Sequence, residues 1–384
     1  MKKHNKKLIG LSLLLAAVML SGLLLTGCLG GSSQIAWSGP TVAEGNVYVG
    51  SLGKMYALQA ENGNYVWQEE LETEGSSGGL GCSMSSMSIP IYGETAVYGE
   101  LVYVGGYDGK VYAYTTESGA LRWVYPRSGN LGAVILGGTV VSQDVLYFCT
   151  FSGVVYALDA ETGDEIWNYD IDEDVWATPA VSGDTLYIGT FDKNIYALDI
   201  NTGQPKWAEP FQTGGPVLAT PAVNDGVVYA ASFDRHVYAL DSASGQQIWQ
   251  YPDNGSDDTP SKWFWADPIL SNGSIYAANM DGKMYVIDAF TGALRADFDL
   301  EGAVSSTPVT VGDYVYVATE EGEVFAIDTV NMQMEQVRDL GLRVIAPLAA
   351  ADGIVYIHTH DEEAIYALNT ETGTLTWDTP LGSE

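Results

Sequence analysis

The chain has 384 residues, 46% hydrophobic and 11% aromatic but only 17% charged. Acids outnumber bases by 49 to 16, a formal net charge of −33 at neutral pH. A field of that sign excludes nucleic acid and anionic lipid surfaces as favoured partners and suits cations or basic proteins, although solubility or a salty milieu explains it equally well.

The first element is an export signal. Lys2, Lys3, Lys6 and Lys7 precede an apolar run over residues 8–25. Leu25-Thr26-Gly27-Cys28 follows and resembles a bacterial lipobox. That resemblance implies cleavage before Cys28, with Cys28 carrying the lipid. An uncleaved membrane helix is the competing reading, since the run could nearly span a bilayer; the Leu-x-Gly-Cys ending speaks against it. The expected layout is a signal peptide over 1–27, a lipidated Cys and short tether over 28–34, and a folded domain over 35–384. Several acyl chains make such an anchor stable. The protein is then exported and lipid-anchored to a bacterial cell membrane or outer membrane, facing periplasm or exterior. Cleavage removes four lysines and leaves 12 bases against 49 acids, a net charge of −37.

The rest of the chain repeats one unit eight times. Its clearest copies are "TLYIGTFDKNIYALDINTGQPKW" (185–207) and "VVYAASFDRHVYALDSASGQQIW" (227–249). An aromatic marker recurs at Tyr56, Tyr112, Tyr156, Tyr196, Tyr238, Tyr285, Phe325 and Tyr366. Seven residues on stands Gly in every copy but the seventh, which has Met332. Eleven residues on stands Trp67, Trp123, Trp167, Trp207, Trp249 or Trp377, with Ala296 and Gln336 in copies six and seven. A period of about 40 residues with several strands per unit is the pattern of a propeller blade. The fourth copy reads as strands at 177–181, 185–189, 194–199 and 204–207, with turn residues between them. No helical period appears outside the N-terminus. A four-stranded sheet cannot cover both faces alone, so the expected fold is all-β: eight four-stranded antiparallel blades closed in a ring. The six Trp are expected to dock between blades, a structural role. Copies six and seven are either degenerate or carry an altered edge for a partner.

The string "YALDAETGDEIW" (156–167) and its relatives resemble the repeat of the pyrroloquinoline quinone (PQQ)-like propellers, over about residues 37–381. The resemblance implies an eight-bladed propeller with Trp residues docking between blades. That superfamily contains quinoprotein dehydrogenases that use PQQ and Ca²⁺. It also contains non-catalytic lipoproteins of the bacterial outer-membrane β-barrel assembly machinery. Fold alone does not separate them.

Parts for catalysis are scarce. PQQ carries three carboxylates and calls for fixed cations. Arg343 is the only base immediately ahead of a well-matched inner strand, with Lys262 further out. The vicinal Cys pair of the quinoprotein alcohol dehydrogenases is missing, as is a Cys-x-x-Cys-His haem motif. His358 and His360 alternate on one strand face but read as an exposed hairpin end rather than a metal site. The acidic runs 170–174 and 253–258 match no Ca²⁺ loop and read as solvated inter-blade loops. Cys82, in a Gly/Ser/Met-rich insertion, and Cys149 have the compartment for a disulfide, and the sequence leaves their pairing open. The expectation is no enzyme, no metal and no cofactor.

Binding is better placed at the channel mouth. Three residues before each inner-strand Pro, or at the aligned place, stand Trp37, Tyr92, Leu136, Trp176, Leu218, Trp265, Ser305 and Val344. In copy two, Pro90 gives Met87 instead of Tyr92. Trp263 and Arg343 adjoin this ring. Such side chains either pack between blades or form an aromatic patch for a protein or peptide. The favoured function is a lipid-anchored scaffold for other envelope proteins or peptides, possible in outer-membrane protein assembly, with a monomeric propeller as the default state. The alternatives are a PQQ/Ca²⁺-dependent oxidoreductase and a cell-surface ligand-binding or adhesion propeller.

Overall fold

The turns of each repeat are built from its own acids. Asp199, at the end of a third strand, accepts hydrogen bonds from the N–H of Asn201 and from the N–H and hydroxyl of Thr202, each at 3.0 Å. Asp159, Asp241, Asp288, Asp328 and Asn369 repeat this cap in other blades. Hydrogen bonds from Ser244 hold the Asp241 carboxyl below its ordinary value, and those from Asn331 do the same for Asp328. For Asp288, the Thr291 backbone bond and then Arg295 lower it to about 2. Part of the acid excess is therefore turn chemistry.

In the computed structural model, which describes residues 37–71, 88–253 and 259–382, these turns join eight four-stranded antiparallel sheets. The blades cover 41–70, 96–125, 140–170, 180–212, 222–251, 269–299, 309–339 and 349–380. Strands within each sheet follow chain order, and first strands of neighbouring blades meet around the axis. This is the all-β eight-bladed propeller expected from the repeat. The signal segment, Cys28, the tether, Met87, Cys82 and the acidic run after Asp253 lie outside the described residues. Among the described residues, no helix is long and apolar enough to cross a membrane.

One joint recurs between blades. Each Trp indole N–H donates to a backbone carbonyl of the next blade, four residues past the aromatic marker: Trp67 to Thr116, Trp123 to Ala160, Trp167 to Ile200, Trp207 to Ser242 and Trp249 to Ala289, all at 2.8–3.1 Å. Trp377 donates to Ala60 at 2.9 Å and so closes blade eight on blade one. In five blades a second-strand Tyr hydroxyl joins the same carbonyl, as Tyr147 does at Ile200 (3.2 Å). The ring of each Trp lies on the recurring Gly of the next blade. A Cβ there would approach the indole to 2.5–2.7 Å in all six cases. The Gly is therefore needed twice, for its positive φ and for the Trp above it.

Blades six and seven show the same logic inverted. Blade six has Ala296 where others have Trp, and blade seven has Met332 where others have Gly. Met332 keeps the left-handed backbone, φ 52°, and packs with Ala296 against one core cluster. The Met side chain occupies the side from which the indole is missing. Asn272 Nδ2 donates to the Thr329 carbonyl at 3.3 Å, replacing the indole N–H. In blade seven the bulge falls between Val324 and Phe325, so Glu335 rather than Gln336 faces Ala326 across the strand pair.

Two expectations need correction here. The outer strand of blade four is not 204–207: only an isolated bridge joins Leu198 to Pro205, and the strand is Phe211–Gln212. Pro205 and Pro210 lack the N–H that a ladder requires. His358 is not at an exposed hairpin end. It is fully buried at the seam of blades eight and one, with Nδ1 2.9 Å from the Ser38 carbonyl and Nε2 3.0 Å from Glu363. Ser51 also donates to Glu363 at 2.5 Å. Burial alone would raise the Glu363 carboxyl, but His358 and Ser51 outweigh it and hold the group below its ordinary value. Cys149 is free and buried, its thiol pushed up by burial.

The Trp–Gly joint can be tested by comparing two glycines. Gly99→Ala, at φ 56° with nothing within 4 Å of the added carbon, should cost only about 1–2 kcal/mol of backbone strain. Gly163→Ala, whose Cβ would lie 2.6 Å from the Trp123 ring, should cost about 1–3 kcal/mol more by overpacking. Denaturant unfolding of both variants measures the difference.

Candidate functional site

Side chains alternate along the backbone as it runs into each first strand. In the first position, Ile91, Ile135, Val175, Val217, Phe264, Val304 and Val344 are buried between blades. The next residue turns to the axis, so Trp37, Tyr92, Leu136, Trp176, Leu218, Trp265, Ser305 and Ile345 line a narrow channel. Seven of these are the ring positions read from sequence. The eighth is Ile345, not Val344, because Pro347 stands where other blades have Thr178, Thr220 and Thr307, one place off the other prolines. The alignment of copy two that gives Tyr92 is the one that reaches the channel.

The mouth is aromatic across its width. Trp37 and Trp176, ahead of blades one and four, stack with centroids 6.0 Å apart and planes within 4°. Trp37 also meets Tyr92 at 4.6 Å, and Trp176 meets Trp265 edge-on at 6.1 Å. A second tier, unread in the sequence, stands around them. Tyr107 packs on Tyr92, Phe191 on Trp176, and Phe233 on both Trp265 and Trp263. These residues sit in the hairpins between second and third strands, pinned by backbone bonds such as Phe233 N–H to Pro216 O at 2.9 Å. The available signal was an aromatic two residues past the second strand in four successive copies: Tyr107, Phe151, Phe191 and Phe233. Trp263 (39% exposed) and Tyr107 (41%) form the outer rim. Arg343 does not reach the channel; it is exposed, and its N–H donates to Asp361 at 3.2 Å.

Deeper along the same walls lie two carboxylates. Glu94 follows Tyr92 by two residues and Asp267 follows Trp265 by two, so both face the axis. Protein encloses them on all sides but the channel, to which each keeps a little accessible surface. Burial pushes Glu94 up to about 7, helped by the charge of Asp267. Burial pushes Asp267 up to about 6, against hydrogen bonds from Thr220 and Thr307. The Thr220 N–H donates to Asp267 Oδ1 at 2.6 Å. A larger surface cleft, about 480 Å³, lies on the opposite face between blades two and three, beside Tyr98, Arg122 and Asp144.

A family model described as "Outer membrane protein assembly factor BamB" matches residues 24–208, 152–264 and 260–384. The chain belongs to this family. Among solved structures it is similar to BamB from Moraxella catarrhalis, at 22% identity and TM-score 0.65, over 87% of this chain and 92% of that one. It is similar to the computationally designed Ika8 protein at 16% identity and TM-score 0.69, over 87% and 96%. It is also similar to quinohemoprotein alcohol dehydrogenase from Comamonas testosteroni at 16% identity and TM-score 0.66, over 88% and 71%. At these identities the likeness is one of fold. A search of curated proteins gives no match.

Since members of this fold differ in chemistry, the mouth must be tested against the quinone itself. The channel presents Glu94 and Asp267 and no Lys or Arg among its described lining residues, whereas PQQ is a tricarboxylate. The cavity here is only about 80 Å³, small for a fused-ring tricarboxylate. The residues here do not fit PQQ. Ca²⁺, which takes about 6–8 oxygen ligands, finds two carboxylates at this depth.

The two acids make a pH prediction. A carboxyl raised by folding weakens the fold as pH climbs from its unfolded value, near 4, through its folded value, near 7. Glu94→Gln removes that penalty. Its Tm should match wild type near pH 4 and exceed it by pH 8, a gain of up to about 3 kcal/mol. Differential scanning fluorimetry across that range reads it; equal Tm values throughout would show that the channel does not strain Glu94.

Proposed function

We propose that this protein is a non-catalytic, lipid-anchored scaffold of the bacterial envelope, binding other envelope proteins or peptides at the aromatic mouth of its channel. The observation that carries this reading is the run of eight aromatic rings in unbroken contact, from Tyr107 through Tyr92, Trp37 and Trp176 to Trp263. Rings pinned by a rigid frame and partly open to solvent offer large contact area at little entropic cost, which is how interface anchors work. Family membership supports an envelope setting. A part in outer-membrane protein assembly is the finer form of the proposal. The lipid on Cys28 would keep the protein at the membrane and raise the effective concentration of membrane partners.

Cross-linking in cells followed by recovery of the tagged protein tests this. Wild type should bring down envelope proteins, and recovery of a β-barrel assembly protein would support the finer form. Trp176→Ala and Trp265→Ala should lose most of that recovery while retaining the far-UV spectrum of the fold; full recovery by either folded variant would sink the mouth as the binding surface. Separately, Cys28→Ser should shift the protein from the membrane to the soluble fraction of the envelope.

A further inference from the structure

The aromatic contacts leave the charge beneath them unused. Glu94 and Asp267 belong to blades two and six, four blades apart in a ring of eight, and so oppose each other across the axis. No donor among the described residues reaches the Glu94 carboxylate. Room for it is made by glycine: a Cβ on Gly39 would lie 3.0 Å from Glu94 Oε1, and one on Gly138 would press on its backbone at 2.9 Å. The two carboxylates thus offer the channel negative charge from opposite sides, and Glu94 has acceptor capacity that no described protein group uses.

We infer that the channel mouth is a binding site for a single organic ammonium group, seated between the rings of Trp37, Trp176 and Trp265 and the carboxylates of Glu94 and Asp267. Aromatic faces attract cations, most strongly where water is excluded, and the two acids supply matching charge and acceptors. The hydroxyls of Thr178, Thr220 and Thr307 line the same space. The cavity is about 80 Å³, enough for an ammonium head with a short stem and far below the roughly 300 Å³ at which pockets for larger ligands begin. A wall of indoles suits an alkylammonium, whose head costs less to dehydrate than a divalent metal ion and whose stem is apolar. The net charge of the whole protein draws such cations in. The head can come from a lysine side chain of a bound partner or from a free small amine. The first source rests on the scaffold reading above; the second does not.

Full-length protein in detergent, titrated by calorimetry and by tryptophan fluorescence, provides the test. The probes are n-butylammonium, a lysine-containing tetrapeptide amide and calcium chloride, at pH 8. We expect saturable n-butylammonium binding, weakened at least tenfold in both Glu94→Gln and Asp267→Asn, whose Tm values show that they fold. Affinity should fall as pH drops from 8 to 5, because protons compete at the titratable groups that line the site among the described residues, Glu94, Asp267 and, far from its range, Tyr92. Tighter binding of the peptide points to a partner's lysine, and preference for n-butylammonium to a free amine. No saturable amine binding, or binding unmoved by either substitution, overturns the inference. So does stoichiometric Ca²⁺ binding that excludes the amine and is lost in Glu94→Gln, which would make this an inorganic cation site. Partner recovery in cells that persists while no amine binds would overturn this inference and leave the scaffold reading standing.

Discussion

The molecule depends on one hydrogen bond made again and again: an indole N–H reaching the carbonyl four residues past the marker of the next blade. Every blade is complete within one stretch of chain, so among the described residues no shared strand ties the last blade to the first. The ring is held by side-chain docking, by backbone bonds near the axis such as Leu348 N–H to Thr307 O at 3.0 Å, and by the links between consecutive blades. A buried indole with an unmet N–H would be costly, and a buried carbonyl likewise, so each bond fixes both the distance and the angle between neighbours. Repeating one angle eight times closes the circle. At the last seam, Trp377 is reinforced by the buried His358–Glu363 pair and by Ser38 and Ser51. Closure has more polar specification there than packing requires, as befits the one joint that covalent continuity does not support.

That joint explains why the fold was legible. Trp and Gly recur at fixed spacing because each constrains the other across a blade boundary, and constraints of that kind survive as periodicity in a single sequence. What was not legible follows from the same cause. Ala296 and Met332 look like two separate losses of pattern when read along the chain, but they meet in space and form one compensated joint. The blade-four outer strand was misplaced because its Trp207 still docks while prolines on either side remove the ladder around it. His358 was misjudged because the seam it fills joins residues more than 300 positions apart.

The mouth was legible only in its first tier. Its ring residues precede a recurrent Pro, so an alignment by eye finds them, and fails by one place where Pro347 is out of step. The hairpin aromatics carry no such marker: they vary from Leu52 to His360 around the ring, and only four consecutive copies are Tyr or Phe. The ring geometry, not any local pattern, brings Trp37 against Trp176 from blades that are not neighbours. Contacts across an axis have no fixed sequence separation, so no periodicity records them.

The acids divide by the same test of local satisfaction. Asp241, Asp288 and Asp328 are held low because each caps its own turn, and Glu363 is held low by a seam it helps to build. These carboxylates are explained by the fold. Glu94 and Asp267 are pushed the other way by burial, although Asp267 accepts from Thr220 and Thr307 of the blades beside it. Departures from local consistency concentrate where a protein does something other than fold. No donor among the described residues meets the Glu94 carboxylate, so what that acid offers the channel is acceptor capacity and charge. A charge held at the axis, under rings that favour cations and within a cavity of about 80 Å³, has its use in what enters from outside.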